Sequence, residues 1–188
     1  MTVPARSDHE AVTHSMFNAL MWALSYPGEA QALADASLEH TTLEYIGLTL
    51  LDLETSFYTP DNALEERLKV TGARAKHLQD ADYLFYSHLT EDDLEGLEHA
   101  KRGDMLYPDR AATIILQASF GSGTTLQLTG PGIETSTALK VDGIPAAFWQ
   151  LRNKTRHYPL GWDVVLVDGV QVVGIPRSTA VTIIGEAS

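Results

Sequence analysis

Val164-Val165-Leu166-Val167-Asp168-Gly169-Val170-Gln171-Val172-Val173-Gly174-Ile175 is the stretch on which the fold turns. Two apolar runs rich in β-branched residues meet at Asp168-Gly169, and Asp-Gly favours a type I′ turn whose twist matches that of paired strands. The spacing predicts a hairpin turning at Asp168-Gly169. Apolar residues follow one another instead of alternating, so both faces of these strands must be covered. Upstream lie a basic segment, residues 152–157, and the turn-rich Tyr158-Pro159-Leu160-Gly161-Trp162-Asp163; downstream comes Ile175-Pro176-Arg177-Ser178-Thr179. Fixed turns and concentrated positive charge therefore sit at the ends of buried strands.

That charge is local, because the 188-residue chain carries a formal net charge of -12. Such a balance argues against general nucleic-acid affinity, which needs clustered Lys and Arg to neutralise phosphates. An anionic ligand would need a local basic site. The length suits a single domain over residues 1–188 with one sizeable core, and a 44% hydrophobic content is ordinary for a globular chain. Charges occupy the first ten residues where a signal peptide needs its apolar stretch, and no run reaches membrane-spanning length, so a soluble cytoplasmic protein is expected. There is no cysteine, which excludes disulfides, a thiolate nucleophile and cysteine-held zinc or iron-sulfur centres.

Toward the N-terminus, Val12, Met16, Leu20, Met21, Ala23 and Leu24 recur at helical spacing until Tyr26-Pro27-Gly28 stops the helix. Thr41-Thr42-Leu43-Glu44 has the form of a capping box before Leu43, Ile46, Leu50 and Leu51. Ser56-Phe57-Tyr58 reads as a short strand, Asp61 as the cap of a helix carrying Leu64 and Leu68, and Tyr83-Leu84-Phe85-Tyr86 as a strand. Residues 90–101 read as an acidic solvated helix, its early acids and its final Lys101-Arg102 complementing the helix dipole. Residues 113–120 predict a strand, turned by Gly121-Ser122-Gly123 into residues 124–128. Pro145 opens a helix running to His157, where its missing N–H costs little. Residues 181–184 add a last strand. Helices and short strands come first, then hairpins around one helix: an α/β fold, a mixed sheet with helices packed on it, with no clean doubly wound order visible.

The chemistry-bearing patterns are sparse. Gly121-Ser122-Gly123 lacks the lysine of a P-loop and the third glycine of a dinucleotide loop. His88, Asp92 and His99 do not share a helical face suited to a metal, His9 and His14 lack a partner motif, and none of Lys69, Lys76, Lys101, Lys140 and Lys154 lies in a Schiff-base motif. The basic set Arg152, Lys154, Arg156 and His157 complements the negative helix end. Arg177, leaving a buried strand after a proline, could hold a phosphate or a carboxylate bidentately. Asp163, after Gly161 and Trp162, could pair with an arginine or cap the strand entry. Arg177, Asp163, Arg152, Arg156 and Gly161 are thus the ligand- or partner-binding candidates, with no catalytic set, no metal ligands and no cofactor expected.

Several segments in this order resemble the PhnH family, a subunit of the bacterial carbon-phosphorus lyase core complex. They are Phe17-x-x-Leu20-Met21-x-Ala23 with Pro27-Gly28; Leu50-Leu51-Asp52-Leu53-Glu54-Thr55; Arg102-Gly103 leading to Tyr107-Pro108; Ala112-Thr113-Ile114-Ile115-Leu116-Gln117; Leu128-Thr129-Gly130-Pro131-Gly132-Ile133; Tyr158-Pro159-Leu160-Gly161-Trp162-Asp163; and Ile175-Pro176-Arg177-Ser178-Thr179. Asn18 stands where the family often has arginine, and Trp162 where it usually has an aliphatic residue. The resemblance implies a homodimer related in fold to the large domain of pyridoxal-phosphate-dependent transferases but not using that cofactor. It implies partnership with the PhnG, PhnI and PhnJ subunits in making ribose 1-alkylphosphonate 5-triphosphate from ATP and an alkylphosphonate. Lacking the cysteines of a radical subunit and the P-loop of a transporter-like one, the chain fits an accessory role with no activity alone. The alternative is direct contact with ATP or alkylphosphonate through Arg177 and its basic neighbours.

Overall fold

The computed structural model describes residues 8–33 and 41–185. The residues read above as lacking a signal sequence fall largely outside that range. In chain order the elements are α1 (Asp8–Ser25), β1 (Gln31–Ala32), α2 (Thr42–Leu50), β2 (Ser56–Tyr58), α3 (Asn62–Leu68), β3 (Arg74–Ala75), β4 (Tyr83–Tyr86), α4 (Asp93–Leu97), β5 (Thr113–Gln117), β6 (Ser119–Thr129), β7 (Thr137–Asp142), α5 (Ala146–Thr155), β8 (Asp163–Asp168), β9 (Gln171–Ile175) and β10 (Ala180–Gly185). Seven strands form a mixed sheet in the order β1-β9-β8-β5-β4-β2-β3, and a second sheet has the order β10-β6-β7.

Within the larger sheet β3, β2, β4, β5 and β8 run parallel, whereas β9 is antiparallel to both β8 and β1. A parallel block is therefore present, although no doubly wound order was legible in the sequence. Its strands are short and its crossovers include the seven-residue α3 and the five-residue α4, too brief to give a long helical period. The mixed α/β architecture with helices on the sheet is as expected.

The continuous apolar runs resolve into two alternating sets. Leu84, Tyr86, Ile114, Leu116, Val164, Leu166, Val173 and Ile175 belong to a core shared with α4, α5 and the small sheet. Phe85, Ile115, Val165, Val167 and Val172 belong to a second core with α1, α2 and α3. Adjacent residues point to opposite faces of a strand, so a buried central strand needs both sets apolar. Trp162 is 1% exposed and packs in the first core. Helix α1 lies against β9 because Gly174 has no side chain: a Cβ there would stand 2.5 Å from the carbonyl carbon and oxygen of Ala23.

The caps at Thr41 and Asp61 form as their sequences indicate. Thr41 Oγ1 accepts from the Glu44 amide while Glu44 accepts from the Thr41 amide, and Asp61 accepts from the Ala63 and Leu64 amides. Three local expectations are corrected. Gly121-Ser122-Gly123 does not reverse the chain; it is a bulge within β6, where Phe120 and Thr124 both oppose Val141, and Ala118 links β5 of the larger sheet to β6 of the smaller one. The acidic helix shortens to α4, interrupted in character by Gly96, whose backbone freedom weakens a helix. The hairpin closes on Asp168 and Gln171, leaving Gly169-Val170 as its loop. Since Gly169 has φ 54 and no residue other than glycine has positive φ among the described residues, the turn has the Gly-first pattern of type II′.

Candidate functional site

All five candidates lie at one edge of the larger sheet, where the parallel strands begin. Arg152, in the last turn of α5, is 1% exposed. Its Nη1 donates to the Thr179 carbonyl at 3.1 Å, and its Nη2 to the carbonyls of Ile175 at 3.3 Å and Pro176 at 2.8 Å. The Ile175 carbonyl closes β9, and those of Pro176 and Thr179 lie in the crossover to β10, which leaves one sheet for the other. Burial pushes the guanidinium down to about 10; the neighbouring Arg156 charge adds to the fall and Asp163 opposes it, leaving a cation at neutral pH.

Asp163 opens β8 and faces Arg177 beyond the end of β9. Its Oδ1 accepts from the Arg177 amide at 2.8 Å and from Nε at 3.2 Å, and its Oδ2 from Nε at 3.1 Å and from Nη2. Nη1 of Arg177 donates to the Pro108 carbonyl. The Nε–Nη2 edge, which would otherwise suit a phosphate, is thus spent on Asp163, and the pair fixes the Pro108 loop. Gly161 has φ +136, a conformation that residues with a side chain rarely adopt, and its Cα packs between Arg156 and Arg177. Its amide donates to the Arg102 carbonyl at 3.1 Å. Arg156 is the helix C-cap, and its Nε is buried without a partner among the described residues. The sequence candidates do come together, but as a brace: side chains that tie α5, the crossover and the loop after Arg102 to the start of β8.

Beyond that brace opens a cleft of about 750 Å³ lined by Glu54, Arg74, Lys76, Asp82, Lys101, Arg102, Gly103, Asp104 and Arg110. Sequence reasoning missed it, since its cations come from separate segments with no shared spacing. Lys101 pairs with Asp82 at 2.7 Å. Burial raises the Asp82 carboxyl, but the Lys101 ammonium and the hydroxyl and amide of Ser56 outweigh it and hold the group below its ordinary value. The guanidinium of Arg110 lies 4.0 Å above the Tyr107 ring, a cation–π arrangement.

At the opposite edge, where the parallel strands end and where open α/β sheets commonly bind ligands, lies a smaller crevice of about 250 Å³. It is lined by Thr41, Leu43, Glu44, Asp61, Ala63, Leu64, Arg67, Ser87 and Gln117. Its polar groups satisfy one another: Arg67 donates to Glu44 at 2.7 Å and Ser87 to Asp61 at 3.1 Å. Among the described residues no lysine lines it. Among the described residues no group of three or more His, Asp or Glu is arranged to hold a metal, and no helix is long and apolar enough to cross a membrane.

Two comparisons agree with this anatomy. A relative from Stutzerimonas stutzeri, named as the C-P lyase subunit protein HtxG, is 35% identical over 173 residues, which cover 90% of this chain and 85% of that protein. The family model described as bacterial phosphonate metabolism protein (PhnH) matches residues 4–182, a span that takes in both cores, the Arg177–Asp163 brace and the basic cleft. With so nearly complete a match, the chain belongs to the PhnH family of bacterial phosphonate metabolism proteins.

Proposed function

We propose that the chain is an accessory subunit of a carbon-phosphorus lyase core complex, required in phosphonate catabolism for making ribose 1-alkylphosphonate 5-triphosphate from ATP and an alkylphosphonate. It works in the cytoplasm as a homodimer, in contact with PhnG, PhnI and PhnJ subunits, and has no activity alone. The observation that carries this reading is the family match over residues 4–182, supported by a relative named as a C-P lyase subunit. The seven-stranded sheet with its single reversed strand is in keeping with a scaffold related to the large domain of pyridoxal-phosphate-dependent transferases.

The alternative, direct anion contact through Arg177, Arg152 and Arg156, has less support. Arg177 spends its phosphate-shaped edge on Asp163, and Arg152 turns its terminal nitrogens to three carbonyls. Co-expression with the other core subunits, followed by co-purification and mass measurement of the assembly, tests the proposal. The chain should be retained in stoichiometric amount, and synthase turnover should fall when it is left out. A chain that is monomeric alone, fails to co-purify and is dispensable for turnover would reject the subunit role.

A further inference from the structure

We infer that the basic cleft at the beginning of the parallel strands binds a polyphosphate-bearing anion. Five of the chain's 13 Lys and Arg residues line it, against three carboxylates, in a protein whose net charge is -12. Two of the three carboxylates are engaged: Asp82 with Lys101 and Ser56, and Asp104 with the amides of Leu106 and Tyr107 at 2.8 Å. Arg74, Lys76, Arg102 and Arg110 form no ion pair among the described residues. Arg74 and Arg102 instead donate to the carbonyls of Glu54 and Glu98, and the Lys76 ammonium makes no side-chain hydrogen bond or ion pair among the described residues.

Five cations against three carboxylates leave an excess of positive charge whose mutual repulsion an arriving anion relieves. An acidic protein repels anions over most of its surface, so a local reversal of sign also selects where one lands. The residue types favour phosphate oxygens, since arginine offers planar pairs of donors and lysine a mobile point charge. A volume of about 750 Å³ falls within the range of small-molecule sites, with room for several linked phosphoryl groups. The walls are held in place: Gly161 bonds Arg102, and Arg177 bonds Pro108 just ahead of Arg110. A Cβ at Gly103 would meet the Pro108 carbonyl oxygen at 2.7 Å, so only glycine lets those two segments close on each other. The brace thereby positions the cleft without touching what it holds. This inference stands on charge and geometry in the isolated chain and does not require the subunit reading.

The test is calorimetric titration of the full-length chain with inorganic triphosphate and, in separate arms, ATP and adenosine. Triphosphate should bind saturably, more weakly as ionic strength rises, while adenosine should not bind; ATP binding more tightly than triphosphate would identify a nucleotide as the source of the polyphosphate, and equal affinity a free polyphosphate. The double variant Lys76→Glu/Arg110→Glu should weaken triphosphate about ten- to a hundred-fold, the loss expected for two charge-assisted contacts. Lys76→Gln, which touches nothing structural, should weaken it severalfold, and Lys140→Glu on β7 should leave it unchanged. Matching circular dichroism and melting curves verify folding. No saturable triphosphate binding, equal weakening by Lys140→Glu, or binding of a polyglutamate peptide in place of triphosphate would each overturn the inference.

Discussion

Replacing Arg152 by methionine should unfold the chain more readily, because the guanidinium holds the crossover between the two sheets. Three donor–carbonyl contacts are lost, to Ile175, Pro176 and Thr179. A hydrogen bond from a charged donor is worth roughly 1.5–3 kcal/mol, so the gross loss is about 5–9 kcal/mol. Against it stands the desolvation of a cation that is 1% exposed, a penalty of several kcal/mol that methionine does not incur. The net expectation is a loss of about 2–4 kcal/mol. In urea, with a slope of about 2–3 kcal/mol per molar for a chain of this size, the unfolding midpoint should fall by about 0.7–2 M. Lysine keeps the charge but not the fork, and Arg152→Lys should still lose at least about 1 kcal/mol. A midpoint for Arg152→Met within about 0.2 M of the parent, or above it, would refute the bracing role and leave Arg152 free to be judged as a ligand residue.

Two further outcomes follow from packing and from charge. Gly174→Ala drives a methyl into the Ala23 backbone, which cannot yield as a side chain end would; about 1–3 kcal/mol of overpacking should lower the melting temperature by about 3–10 °C, and an unchanged melt would show that α1 does not sit where described. Lys101→Ala removes the principal partner of Asp82, whose carboxyl is held below its unfolded value of 3.8. A depressed acid contributes stability above the unfolded value and loses it as pH falls through the folded one, so parent and variant should differ by up to about 1 kcal/mol near pH 7 and converge only once pH has dropped well below 3.8, at about pH 2. Urea midpoints at the two pH values check this, and a difference undiminished in acid would contradict it.

What the sequence disclosed was whatever its neighbours in the chain decide. The caps at Thr41 and Asp61 and the apolar hairpin all rest on residues a few positions apart; that Asp163 could meet an arginine was legible, but not that the arginine is Arg177, 14 positions on. Gly121 and Gly123 misled because glycine marks a bulge as readily as a reversal, and only the partner strand, with Val141 facing two residues, distinguishes them. Arg152 looked like a charge soothing a helix end; its real partners are carbonyls freed where the chain changes sheets, an event no local pattern records. The cleft was invisible for the same reason, since Arg74, Lys101 and Arg110 meet only after β2, β4 and β5 align.

Strand β5 has its two neighbours in β4 and β8, and β8 begins only at Asp163. During synthesis one flank of β5 therefore stays open from its emergence until the last quarter of the chain has been made, a matter of seconds at roughly 5–20 residues per second. An open apolar edge invites pairing with another nascent copy. The yield of soluble protein in a cell should accordingly depend on how fast translation crosses the stretch between these two strands, and slowing ribosomes there should send more of the product into aggregates.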